Sequence, residues 1–176
     1  MQKRRFFLPV LVVLAGLFRP IAAISSETQK ETANSGDARF VGTAVCAGCH
    51  QEAYANWKDS HHDLAMQVAD GNTVLGDFDN AEFTHYGVTS TFYKKGDRFM
   101  VRTDGPDGSP QDYRIDYTFG VYPLQQYLIR CPGGRVQALG VAWDSRPRQE
   151  GGQRWFHLYP DEEIAYTDEL HWTGPN

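Results

Sequence analysis

Apolar and polar side chains alternate strictly over residues 113–119, where Tyr113, Ile115, Tyr117 and Phe119 interleave with Arg114, Asp116 and Thr118. A period of two predicts a strand with one aromatic face. Residues 91–94 and 98–102 flank Lys95, Gly96 and Asp97, a hairpin pattern. A second turn cluster follows at Asp104, Gly105, Pro106, Asp107 and Gly108. Residues 136–143 and 154–159 read as further strands, each entered from a Gly-containing turn, at Pro132, Gly133, Gly134 and at Gly151, Gly152. Residues 120–129 have no decisive period. Connections this short imply antiparallel pairing.

The period changes toward the N-terminal side. Residues 44–57 suit one helix, with Ala53, Tyr54 and Trp57 at helical spacing from His50. Either aromatic ring can wall a cofactor or pack in a core. Ser60 followed by Asp63 has the form of a capping box, so a second short helix is expected from residue 60 to near Gly71, carrying His61, His62 and Met66. The expected fold class is therefore α+β, short N-terminal helices packed on a mainly antiparallel β region.

Residues 1–23 read as a signal peptide. Lys3, Arg4 and Arg5 precede an apolar run over residues 6–18, and Ile21, Ala22, Ala23 offers a small-residue cleavage site, with cleavage expected near Ala23 or Ser25. Arg19 and Pro20 end the run short of the roughly 20 apolar residues that a membrane span needs, so a membrane is a partner only if the leader stays uncleaved. Residues 24–39, rich in Ser, Thr, Glu, Gln and Asn, read as a flexible linker.

The full chain of 176 residues carries a net charge of −5, and the leader holds Lys3, Arg4, Arg5 and Arg19 without a carboxylate, so the chain beyond the leader is more acidic still. That balance speaks against nucleic acid or an anionic membrane as partner and permits steering toward a basic redox protein.

The chemistry sits at residues 46–50, CAGCH. Cys-x-x-Cys-His is the attachment signature of a c-type haem. Three residues apart on one helical turn, Cys46 and Cys49 can add to the two vinyl groups of one porphyrin, and His50 can present a ring nitrogen to the iron. A redox disulfide of thioredoxin type needs a βαβ setting that the pattern lacks. Zinc needs a second ligand pair, and Cys131 stands alone. With its two companions assigned, Cys131 reads as a buried small hydrophobe. For a sixth iron ligand, His61, His62 and Met66 lie in one stretch, and His85, His157 and His171 are weaker candidates, more often structural. Export places the thiols where c-type haem is joined in bacteria. The expected cofactor is covalent haem c with its iron.

These residues resemble a known family. CAGCH followed by QEAYANW at 51–57 and SHHDLAM at 60–66 resembles the N-terminal region of multihaem cytochromes c of the cytochrome c-552/4 type. TVLGDF at 73–78, TFGVYPLQQY at 118–127, PGGR at 132–135, GGQRWFHLYP at 151–160 and LHWTG at 170–174 look like the same family, so the resemblance covers residues 40–176 as a cytochrome c-like haem-binding domain. It implies that the N-terminal helices bind haem, that Trp57, Ser60 and His62 form the Trp-x-x-Ser-x-His pattern supplying a distal ligand, and that His62 is preferred over His61, for this haem or a neighbouring one. Family members continue past this point into further Cys-x-x-Cys-His motifs, often with tetratricopeptide repeats, whereas this chain carries one. A truncated frame is expected over a reduced single-haem relative, and further haem domains then count among its partners.

The function expected is exported, periplasmic electron transfer to a redox partner protein, with Cys46, Cys49, His50 and His62 at the haem and His50 and His62 on the iron. Two alternatives stand beside it: a multihaem oxidoreductase or small-ligand sensor with an open iron site, and a β-rich binding module without haem.

Overall fold

The computed structural model describes residues 39–175. The expected signal peptide, and the expected linker up to residue 38, lie outside the described residues. Two short helices come first, α1 over Thr43–Ala47 and α2 over Gln51–Trp57. The continuous helix expected over residues 44–57 is interrupted: Gly48, a weak helix former, follows α1, and His50 takes φ −115° and ψ 49°, outside the helical region. Neither helix buries a residue, and their contacts are chiefly with each other. The expected packing of these helices on the sheets is therefore not what the described residues do. One and two turns of helix present too little surface to form a packed layer.

The rest is antiparallel β structure. The strands are β1 (Met66–Val68), β2 (Ala81–His85), β3 (Val88–Lys95), β4 (Arg98–Asp104), β5 (Pro110–Arg114), β6 (Tyr117–Phe119), β7 (Leu124–Arg130), β8 (Val136–Ala138), β9 (Val141–Asp144) and β10 (Arg154–His157). One sheet is the meander β2-β3-β4-β5; the other runs β1-β6-β7-β9-β10, with β8 also paired to β7. The β3–β4 hairpin turns at Gly96 as expected, with Lys95 opposite Arg98. Gly96 has φ 61°, a left-handed conformation that Gly adopts without a Cβ clash.

Three expectations are corrected by pairing between distant segments. The helix expected from residue 60 is only one turn, closed by Leu64 N–H to Ser60 C=O at 3.0 Å. The cap itself forms, Asp63 N–H donating to Ser60 Oγ at 3.4 Å. The chain then leaves as β1, because Gly120 N–H donates to Ala65 C=O at 2.7 Å and Met66 pairs with Phe119. The strand expected over 113–119 divides between the two sheets: Ile115 N–H donates to Phe99 C=O and Asp116 N–H to Leu128 C=O, each at 2.9 Å. The crossing inverts the inward parity, so Thr118 is buried and Phe119 exposed. The strand expected over 136–143 is likewise split into β8 and β9 around Leu139 and Gly140.

Both sheets contribute to one aromatic core. Phe92 of β3 stacks on Trp155 of β10 at 3.5 Å between ring centroids and 6° between planes. Phe78, from the loop before β2, meets Phe92, Phe99, Tyr127 and Trp155 edge to face at 5.0–5.6 Å. Buried Gln125 and Tyr127 hold that loop: Leu75 N–H donates to Gln125 Oε1, Gly76 N–H to Tyr127 Oη, and Gln125 Nε2 to Thr73 C=O, each at 2.9 Å. A Cβ on Gly76 would lie 2.6 Å from Tyr127 Oη and 2.8 Å from the Trp155 ring, so only glycine fits there. Trp155→Ala removes the ring shared by these contacts and is expected to cost about 3–5 kcal/mol in urea unfolding, with Gly76→Ala also destabilising.

Candidate functional site

The Cys-x-x-Cys-His segment is built by local hydrogen bonds. Cys46 C=O accepts from Cys49 N–H at 3.2 Å and from His50 N–H at 3.0 Å, and His50 C=O then accepts from Tyr54 N–H at 2.9 Å as α2 begins. One turn therefore carries both thiols, and His50 opens the next. Cys46 and Cys49 are free and exposed. His50 is exposed as well. Thr43, Cys46, His50, Ala53, Tyr54 and Trp57 line an open apolar hollow between α1 and α2. The helical spacing of Ala53, Tyr54 and Trp57 from His50 is realised there, and the two rings stand 6.1 Å apart, away from the core.

The structure does not bring every expected residue to this hollow. Cys49 is in the adjoining turn, while His61, His62 and Met66 are exposed and do not line it. Cys131 is half-buried rather than buried, its thiol 3.9 Å from Ile129 C=O, and Pro132 just beyond it is exposed. Among the described residues no group of three or more His, Cys, Asp or Glu side chains is placed to hold a metal ion. No described helix is long and apolar enough to cross a membrane.

A second cluster lies where the two sheets meet. His85 ends β2 and His157 ends β10, and their rings stack at 3.9 Å with 8° between planes. His85 Nε2 is 3.2 Å from Pro160 C=O, and His157 Nδ1 is 3.1 Å from the N–H of Tyr159. His171, only 4% exposed, faces Asp104, with Nε2 3.0 Å from Oδ2. On its other side His171 Nδ1 is 2.7 Å from Thr173 Oγ1 and 3.3 Å from the Thr173 N–H. Ser90 and Thr103 hydroxyls, 2.8 Å apart, extend the chain of bonds to Asp104 Oδ1. These residues line a cavity of about 50 Å³, room for water and far too small for a porphyrin. Beside them Asp104, His171 and Thr173 form one carboxylate–imidazole–hydroxyl chain of hydrogen bonds.

Burial pushes the Asp104 carboxyl up, but the hydrogen bond and charge of His171, together with the Thr103 hydroxyl and a backbone hydrogen bond, hold it below its ordinary 3.8. Burial pushes His157 below its ordinary 6.5; the bond to Tyr159 opposes this and His85 adds to it. Sequence spacing gave no sign of the cluster, since His85, His157 and His171 belong to three elements far apart along the chain. A search of protein-family models, curated proteins and solved structures finds no match to this chain.

The His157 shift fixes the sign of a pH effect. As pH falls below 6.5, the unfolded chain takes up the proton before the folded one does. Stability contributed here is thus complete above that value, declines below it, and levels off under the folded pKa. Urea midpoints are expected to fall between about pH 7 and about pH 5, and His157→Phe, which keeps a ring against His85, to flatten that slope. The Asp104 contribution is lost separately, only as pH falls below the carboxylate range.

Proposed function

We propose that this chain is an exported c-type cytochrome of the cytochrome c-552/4 type that transfers electrons. The observation that carries this reading is the exposed turn with two free thiols and His50, opening on an apolar hollow walled by Tyr54 and Trp57. The donor set suits haem: two uncommitted thiols for thioether bonds, one imidazole for the iron, and an apolar wall for a flat macrocycle, with no cluster of ligands for a bare metal among the described residues. Cys46 and Cys49 would hold haem c and His50 would bind the iron. When bound, the haem supplies the one-electron redox change. The protein's own part is to anchor it, fix its proximal ligand and cover one face with apolar side chains.

On this reading α1 and α2 are the haem-binding helices of a haem domain over residues 40–176, exported behind the leader to the periplasm. His62 is the distal ligand that the resemblance proposes, to this haem or a neighbouring one. One observation favours the second reading, an iron with an open sixth position: His62 does not line the hollow that His50 lines. An open site would suit a haem enzyme or a sensor of small ligands.

The test is expression in a host equipped for cytochrome c maturation, followed by optical spectra before and after denaturing extraction. Haem retained through extraction is expected, and its loss in Cys46→Ala/Cys49→Ala. A low-spin reduced spectrum unaffected by carbon monoxide supports two axial ligands, with conversion to high spin in His62→Ala marking His62 as the sixth. A spectrum that shifts with carbon monoxide in the unmodified protein supports the open site. Absence of covalent haem overturns both readings and leaves the β-rich binding module.

A further inference from the structure

The second sheet has an outward face that is apolar where β1, β6 and β7 meet. Thr118 of β6 and Tyr127 and Ile129 of β7 are buried on its inner side, so the residues between them turn outward. The register sets these in two cross-strand rows: Met66 opposite Phe119, and Val68 opposite Tyr117, which in turn faces Leu128. Val68 is 63% exposed, Met66 49% and Phe119 46%. The wet face of an antiparallel sheet ordinarily carries polar side chains, and a contiguous apolar group in its place marks a surface that something covers. The next outward position of β7 is Arg130, exposed, its guanidinium 5.0 Å from the centre of the Tyr117 ring and donating to the Tyr117 hydroxyl. Asp116, which accepts from the Arg130 N–H, is paired with Arg114 at 3.5 Å. Arg130 itself joins no ion pair among the described residues, and a guanidinium has five N–H donors, so some remain for a carboxylate.

The helices that carry the thiols lack an apolar layer beyond their own hollow. α1 and α2 contact chiefly each other. Residues 58–65 alone join α2 to β1, and they are drawn into turns by Ser60 N–H donating to Trp57 C=O and Leu64 N–H to Ser60 C=O, each at 3.0 Å. Even pulled straight, such a tether reaches at most roughly 30 Å. The helix pair is therefore held near the rows that begin at Met66. Its hollow can cover the side of a macrocycle that His50 serves, and it leaves the other side to water.

We propose that the outward face of β1 and β6 covers the second side of the haem joined to Cys46 and Cys49, with Arg130 paired to a haem propionate. This rests on the haem reading given above. A sheet face is flat, as the macrocycle is, and Met66, Val68, Tyr117 and Phe119 give it apolar contact. Haem also carries two carboxylates, and a guanidinium at the rim of an apolar face is suited to pair with one of them. Thioether bonds retain the group without any pocket; the part of the sheet is to keep water from its second side, and a drier, more cationic setting raises the potential. A second copy of the chain matches the face less well, because the same rows on that copy hold no carboxylate for Arg130.

The experiment uses the holoprotein, made in a host equipped for cytochrome c maturation and labelled at its methyl groups. Large shifts of the Met66 and Val68 methyl signals are expected relative to Cys46→Ala/Cys49→Ala, from the porphyrin ring current in a low-spin reduced protein or from the iron in a high-spin one. Val68→Ser/Phe119→Ser is expected to keep covalent haem and to move the reduction potential negative. Arg130→Gln is expected to do the same and to raise the propionate pKa seen in the pH dependence of the potential, with Arg130→Lys restoring part of it. Should the double variant unfold, Arg130→Gln, at an exposed position, decides in its place. Covalent haem with unmoved Met66 and Val68 signals, or with a potential indifferent to Arg130→Gln, overturns the covering and leaves the electron-transfer reading standing. Absence of covalent haem overturns that reading and the covering with it. A dimer that disperses in Val68→Ser/Phe119→Ser, without haem-induced shifts, gives the face to a second copy and overturns the proposal as well.

Discussion

The face-to-face contact of Phe92 with Trp155 joins the two sheets, and most of the remaining structure depends on it. One ring comes from a strand of the meander and the other from the last strand of the second sheet, so the contact exists only when both sheets are in register. Phe78 fills the space around it with four edge-on partners. Large rings bury much apolar area in few residues, which lets a small domain close a core between two sheets. The same closure obliges the loop ahead of β2 to satisfy its backbone inside the protein, and buried Gln125 and Tyr127 do so.

The two candidate sites are built by opposite means. The Cys46–His50 turn is a local object, made by carbonyl groups accepting from residues three and four along the chain, with its reactive side chains exposed. It asks little of the sheets. The histidine cavity is wholly a tertiary object: β2, β10 and the segment carrying His171 each bring one ring, and Trp172 Nε1 donates to Asp104 C=O at 2.9 Å to hold that segment in place. Gln137 Nε2 fixes it from the other sheet through Trp172 C=O, also at 2.9 Å. A covalently attached cofactor suits the first arrangement, because two thioether bonds make an enclosing pocket unnecessary. The second couples the joint between sheets to protonation.

Charge shows the same division between chain and fold. Net charge is a sum over the chain and pointed to an acidic molecule facing a basic partner. Strand register sorts those charges by row, setting Arg102 of β4 in line with Asp112 of β5 and, across Thr91, with Glu82 of β2. No sum over residues contains that sorting.

Periodicity alone determined the antiparallel β region, the β3–β4 hairpin, the helical start and the Cys-x-x-Cys-His turn, because each depends on residues close along the chain. Side-chain alternation, turn chemistry and helical spacing act over a few residues and are therefore written in their order. Only the tertiary structure decided where strands end and which sheet receives them. Residues 113–119 alternate without a break, yet consecutive amides at Ile115 and Asp116 bond to different sheets and reverse the parity. Ser60 and Asp63 form the cap of a helix that does not continue, because pairing with β6 satisfies the backbone from Ala65 to Val68 as a strand. Local preference is worth a few tenths of a kcal/mol per residue, roughly, and a ladder of hydrogen bonds to a buried strand outweighs it. The stacked histidines belong to that second class, since they are set by which strands become neighbours.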